Sequence, residues 1–137
     1  MPHLPGNAFP EGYESRLAFI PVTLSHAGTI AQRIDTLIDT GSEWTLYSKS
    51  IADSLGIVLN TGRPEIGSGV GGGSNVWFHK IRLNFGKWSY KCNVGFLEIE
   101  LPVDGILGYV GLFDRFKYTI DVANHNFTLE RLPNIYK

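Results

Sequence analysis

The sequence breaks into short β-branched and apolar runs, each closed by glycine, proline, asparagine or serine. That punctuation leaves little room for long helices. Ile81-Arg82-Leu83-Asn84-Phe85 alternates apolar and polar, as a half-buried strand does. Gly86-Lys87 then turns the chain into a second strand, Tyr90 to Leu97. Ala18 to Leu24 and Thr29 to Ile38 read as another hairpin around Ser25-His26-Ala27-Gly28, with Pro21 marking an edge or a bulge. Tyr118 to Val122 and Asn126 to Leu129 flank Ala123-Asn124-His125, a third hairpin, whose His125 is expected in solvent. Trp44 to Tyr47 and Val103 to Leu107 are shorter runs of the same kind. Helix signals are few. Ser48 is placed to cap a helix over Lys49 to Leu55, stopped by Gly56, and Leu112 to Phe116 is long enough for about one turn. These elements predict an all-β, barrel-like single domain with one or two short helices.

Sixteen glycines and seven prolines fit this many turns, and 137 residues fit one domain. Residues 1–16 read as a loose leader, crowded with Pro2, Pro5, Gly6, Pro10 and Gly12, and 17–137 as the domain. A net charge of -1 makes no electrostatic case for nucleic acid or an anionic membrane. No apolar run approaches the ~20 residues of a membrane helix, and the first residues lack the basic and apolar regions of a signal peptide. The lone cysteine, Cys92, cannot form an internal disulfide and reads as a buried, idle thiol. It suits a reducing compartment, so a cytoplasmic location is expected.

The chemistry concentrates at Leu37-Ile38-Asp39-Thr40-Gly41-Ser42. Asp39 ends an apolar strand, where a carboxylate is costly unless it is paired or used. Gly41 permits a tight turn close to the reacting atoms. The hydroxyls of Thr40 and Ser42, with nearby amides, are placed to hydrogen-bond the carboxylate. The plainer reading is a loop-capping aspartate. Two later segments bear on the choice. Gly67 to Ser74 holds five glycines in eight residues, and Ile106-Leu107-Gly108 is a compact apolar strand end.

Taken in order, these landmarks resemble the retropepsin-like aspartic peptidases, single-domain dimeric relatives of pepsin, over roughly residues 17 to 130. Asp39-Thr40-Gly41-Ser42 matches their catalytic loop. Gly69-Val70-Gly71-Gly72-Gly73-Ser74 resembles the tip of their flap, so Val70, Gly71, Gly72 and Gly73 are the expected substrate-covering residues. Ile106-Leu107-Gly108 matches the strand beneath the catalytic loop, and Leu112 to Phe116 the short helix after it. The resemblance implies an endopeptidase in which two aspartates share a proton and activate a water between them. Two carboxylates so close cannot both ionise readily. It implies no metal and no organic cofactor.

Only Asp39 has this setting. In Asp35-Thr36 a leucine follows instead of glycine, Asp104-Gly105 lacks flanking hydroxyls, and Asp121-Val122 lies in a plain strand. A second copy of the chain must then supply the other aspartate, as a two-fold homodimer does. Tyr109-Val110 stand where many relatives carry an arginine that braces the dimer, and the C-terminal Arg131 to Lys137 offers interface strands interrupted by Pro133. A catalytically weak binding or dimerisation module, or a domain of a longer chain, are the competing readings.

Other features carry less. The glycine run lacks the Gly-Lys-Ser/Thr ending and following helix of a phosphate loop, and as a plain flexible loop it remains compatible with a flap. Trp77 and Phe78 either line a cleft or pack at the flap base. The histidines are scattered, without metal-ligand spacing. Ser42 has no nucleophile elbow around it. Glu98, Glu100, Asp114 and Arg115 read as surface charges.

Overall fold

Ala27 and Gly28 both take positive φ, +49° and +86°, and join β1 (Phe19–His26) to β2 (Thr29–Ile38) as the sequence predicts. A two-residue turn of this hand matches the twist of the strands it joins. The register slips between Val22 and Leu24, opposite Arg33, whose φ is +53°. Pro21 sits just before this bulge. It has a partner in β2 but none in β5, which pairs β1 only at Thr23, Leu24 and Ser25. The missing N–H therefore costs no ladder bond on that side. The computed structural model describes residues 18–66, 75–124 and 126–133.

The remaining elements follow in order: β3 (Leu46–Tyr47), α1 (Lys49–Ser54), a 3-10 turn (Leu59–Thr61), β4 (Arg63–Ile66), β5 (Asn75–Phe85), β6 (Trp88–Leu97), β7 (Gly105–Leu107), β8 (Phe116–Asp121) and β9 (Asn126–Arg131). Seven strands form one sheet in the order β1-β2-β7-β3-β6-β5-β4, and an extra β1–β5 pairing closes it into a barrel. β8 and β9 form a separate hairpin. The all-β barrel expected from the alternation is therefore present.

The inward residues make a continuous core: Ile20, Val22, Leu24, Ile81, Leu83, Phe96, Leu107, Leu112, Phe127 and Leu129 are almost wholly shielded from water. Cys92 is buried among them, and burial pushes its thiol up to about 12. It stays protonated and inert at neutral pH, in keeping with the idle-thiol reading. Tyr47 is fully buried too, and its hydroxyl is within 2.9 Å of Thr36 Oγ1, which itself bonds the Ile34 carbonyl. Among the described residues, no buried side-chain polar atom lacks a partner. That is the condition for a core to hold hydroxyls without a stability cost.

Three local expectations change. Ser48 precedes α1, but its side chain does not cap the helix. Instead its hydroxyl accepts from the Leu101 N–H at 2.8 Å, holding the 101–103 segment. The free amide at the helix start is met by Glu100, whose carboxylate takes the Ser50 N–H and hydroxyl at 2.9 and 2.8 Å. A carboxylate there also faces the positive end of the helix. Glu100 is thus more than a surface charge. Leu112 to Phe116 makes the single turn expected of it, with the Phe116 N–H reaching the Leu112 carbonyl at 2.9 Å. Asp114 and Arg115 are half-buried and paired at 3.3 Å, and Asp114 also takes the Gly111 N–H.

Candidate active site

β7 is the strand that positions Asp39. It inserts between β2 and β3, which are neighbours in sequence, running parallel to β2 and antiparallel to β3. The chain leaving β2 at Ile38 must therefore cross the end of β7 to reach β3. Residues 39–45 make that crossing. Strong apolar pairing sets the register, with Leu37 opposite Ile106 and Ile38 opposite Leu107. The Asp39 N–H donates to the Leu107 carbonyl at 3.0 Å, so Asp39 continues the ladder by one more bond.

Beyond Leu107 the chain keeps its hold on the crossing loop. The Tyr109 and Val110 N–H groups donate to the Ser42 and Glu43 carbonyls, each at 2.8 Å. The Gly108 N–H reaches Thr45 Oγ1 at 3.2 Å, and that hydroxyl donates to the Val110 carbonyl at 2.8 Å. Loop and floor are stitched on both sides. Gly108 is required for this approach: a Cβ there would collide with the Trp44 and Ser42 carbonyl oxygens. At the other end of β7, a Cβ on Gly105 would run into the buried Tyr47 ring.

Within the loop, Asp39 is partly buried and Thr40 and Gly41 are exposed. The Gly41 N–H donates to Asp39 Oδ1 at 2.9 Å, and the Ser42 N–H to the Asp39 carbonyl at 3.2 Å. This fixes one carboxylate oxygen and leaves the side chain at the open face of the loop. The Ser42 hydroxyl departs from the expectation that it would serve the carboxylate. It donates to the Trp44 carbonyl at 2.7 Å and tightens the turn instead.

A small second core lies beside the loop. Leu46, Val76, Phe78 and Leu97 are buried together, with Trp44 and Leu101 packed on them. The Trp44 and Phe78 rings meet edge-on, centroids 5.1 Å apart. β5 alternates here, so Phe78 packs inward while the partly exposed Trp77 donates from its indole to Glu98 at 3.1 Å. Val76 and Phe78 also belong to the hairpin of β4 and β5, paired from Arg63–Phe78 to Ile66–Asn75. The stem of that hairpin is therefore tied to the Asp39 loop through one aromatic contact. Val70, Gly71, Gly72 and Gly73 connect its two strands in sequence and lie outside the described residues, as do His125 and residues 134–137.

Thr45 is the residue that reading the sequence missed. It is fully buried and joins Gly108 to Val110, yet it sits between Trp44 and Leu46 with nothing local to separate it from an ordinary strand threonine. Among the described residues, no group of three or more histidine, cysteine, aspartate or glutamate side chains is placed to hold a metal ion.

The family profile described as aspartyl protease matches residues 20–110 of the 137, from β1 through the floor beneath Asp39. The chain belongs to the aspartyl protease family. No curated protein matches it in sequence. In three dimensions it resembles a retropepsin-like aspartic protease from Rickettsia conorii, with a TM-score of 0.59 and 17% identity over 80% of this chain and 78% of that one. It also resembles the retroviral protease-like domain of Ddi1 from Leishmania major, with a TM-score of 0.58 and 17% identity over 88% and 98% of the two chains. At that identity the likeness establishes the fold, which is the retropepsin-like fold. The Asp39 loop lies inside the matched segment.

Proposed function

We propose that this aspartyl protease is a homodimeric endopeptidase in which Asp39 of each chain supplies half of one catalytic pair. The observation that carries the proposal is the held carboxylate: Asp39 follows the last residue of β2, is anchored through its own N–H to β7, and has one oxygen fixed by Gly41. Asp39 is partly buried, and Thr40 and Gly41 beside it are exposed. The other described aspartates sit differently: Asp35 is within β2, Asp53 in α1, Asp104 precedes β7, Asp121 ends β8, and Asp114, in the turn before β8, is paired with Arg115. A two-fold axis beside the loop brings a second Asp39 opposite the first without any further sequence requirement.

In that arrangement the pair holds one proton and a water. The ionised carboxylate takes a proton from the water as it attacks the peptide carbonyl, and the protonated one donates to the carbonyl oxygen. A proton then passes to the leaving amine. Thr40, Gly41 and Ser42 keep the loop in shape, and Ile106, Leu107 and Gly108 are its floor. Val70, Gly71, Gly72 and Gly73 would cover an extended substrate, whose backbone pairs with the flap as an added strand. Neither a metal nor an organic cofactor has a part in these steps.

Tyr109 replaces the bracing arginine of the relatives. Its backbone is fixed to Ser42 while its side chain is 57% exposed beside the loop. It supplies an aromatic contact across the two-fold axis in place of an ion pair. The domain spans residues 17–137, with 1–16 a leader. A buried, protonated Cys92 fits a reducing, cytoplasmic setting. Among the described residues no helix is long and apolar enough to cross a membrane.

Dilution tests the shared site. Peptide-library cleavage at mildly acidic pH, followed against chain concentration and alongside sedimentation, should give a rate that falls faster than concentration. Well below the dimer dissociation constant, a tenfold dilution lowers the rate about a hundredfold by mass action. A strict monomer whose rate stays proportional to concentration contradicts the proposal. A dimer that never cleaves favours the binding module.

A further inference from the structure

The turn of the β1–β2 hairpin borders an open cavity of about 550 Å³, lined by Ser25, His26, Ile30, Lys80, Arg82 and Lys91 among others. This is within the ~300–1,000 Å³ usual for small-ligand sites. It lies at the start of β2, and Asp39 follows the other end, the whole ten-residue strand away. The sheet register explains the lining. Ser25 pairs with Arg82, and Arg82 pairs with Lys91, so three strands present these side chains in one row. The adjacent row, Leu24, Leu83 and Tyr90, faces the core, which sends the Ser25 row outward. Lys80, two residues before Arg82 on β5, falls on the same outer face.

This row costs stability. Like charges directly opposite on neighbouring strands repel, and Arg82 faces Lys91. None of the residues lining the cavity is acidic. Among the described residues the ion pairs are Lys49–Asp53, Arg63–Glu65 and Arg115–Asp114, which leaves Lys80, Arg82 and Lys91 without one. The surface as a whole is not basic, with 12 lysines and arginines against 13 acids. One guanidinium nitrogen of Arg82 is held by Ser89 at 3.0 Å, which steadies the fork while its other donors stay available. Three cations lining one cavity, with a serine hydroxyl in the same row and Ile30 as an apolar wall, suit a compact multivalent anion with three acceptor oxygens.

We propose that this cavity binds a phosphate group, with Arg82 as its bidentate contact and Lys80 and Lys91 as flanking charges. The volume exceeds what phosphate alone fills, so the group arrives on a larger body: a small phosphorylated metabolite or a phosphorylated side chain of a polypeptide.

Calorimetric titration of the full chain at constant ionic strength tests this. The probes are inorganic phosphate, a nucleoside monophosphate, and a serine peptide with and without phosphate. Saturable binding of inorganic phosphate, weakened at least tenfold by Arg82→Gln with Lys91→Gln, is the expected result. Tighter binding of the nucleotide identifies a free metabolite as the source, and tighter binding of the phosphopeptide identifies a polypeptide. The double variant should melt no lower than wild type without phosphate, because it removes the facing charges. Should it fail to fold, Lys80→Gln, an exposed position, must show the same loss in smaller degree. Absence of saturable binding for every phosphate probe, equal binding by the variants, or equal heat from chloride overturns the proposal. Peptide cleavage by Asp39 does not enter any of these readouts.

Discussion

Asp39→Asn should abolish peptide cleavage while leaving the fold intact. General acid–base groups typically contribute about 10²–10⁴-fold to a rate. In the proposed homodimer the same substitution strikes both halves of the pair, so the loss should reach at least the upper end of that range. The fold should survive for a specific reason. Asparagine has almost the shape of aspartate and keeps a carbonyl oxygen that accepts the Gly41 N–H now held by Asp39 Oδ1 at 2.9 Å. The bond from the Asp39 N–H to Leu107 involves backbone alone and is untouched. Circular dichroism and the melting midpoint should match wild type to within a few degrees. Mixing excess variant with wild type should also lower activity, because mixed dimers hold one carboxylate. Equal cleavage by wild type and variant means that Asp39 is not the catalytic group.

Gly108→Ala should have the opposite character: it leaves every polar group in place and breaks the scaffold. The added methyl meets the carbonyl oxygens of Trp44 and Ser42, which are backbone atoms and cannot swing aside. Either β7 withdraws or the loop lifts. Withdrawal strains Ile38 against Leu107; lifting breaks the bonds from Tyr109 to Ser42 and from Val110 to Glu43. Overpacking of this kind typically costs ~1–3 kcal/mol, and a clash with fixed backbone belongs at the top of that range. For a domain of this size that is roughly 10 °C in melting midpoint. Cleavage should fall further than stability explains, since the displaced loop carries Asp39. A variant with normal melting and normal activity would show that the floor is not held as described.

These effects bear on how much the sequence could say. The barrel was legible because Ile81 to Phe85 alternates apolar and polar, so that one face of that stretch is buried. The Asp39 loop was legible because its four residues are contiguous and its floor is a compact apolar segment. β4 was not anticipated: Arg63-Pro64-Glu65-Ile66 is exposed at every position, so it carries no alternation, and its strand state comes from pairing with β5. The true partner of the α1 amide was also hidden, because Glu100 is fifty positions from Ser50 and only the fold brings them together. Ser48, by contrast, looked like a cap from local sequence and was drawn off by the Leu101 amide. Thr45 was invisible for the same reason as Glu100. The choice between cleft and packing for Trp77 and Phe78 required the β5 register, which sends one out and the other in. Local chemistry could be read, and long-range pairing could not.

The barrel and the family leave one question at the centre, which is whether a second chain supplies a partner carboxylate to Asp39. Asp39 is held at an open face by a rigid floor, and Tyr109 stands exposed beside it. The most direct measurement is the separation of the two Asp39 carboxylates in a crystal structure of the dimer. The account predicts hydrogen-bonding reach, about 2.6–3.2 Å between the nearest oxygens or one bridging water. A dimer that holds the two carboxylates well beyond that reach, on opposite faces and yet cleaves peptides, would contradict it.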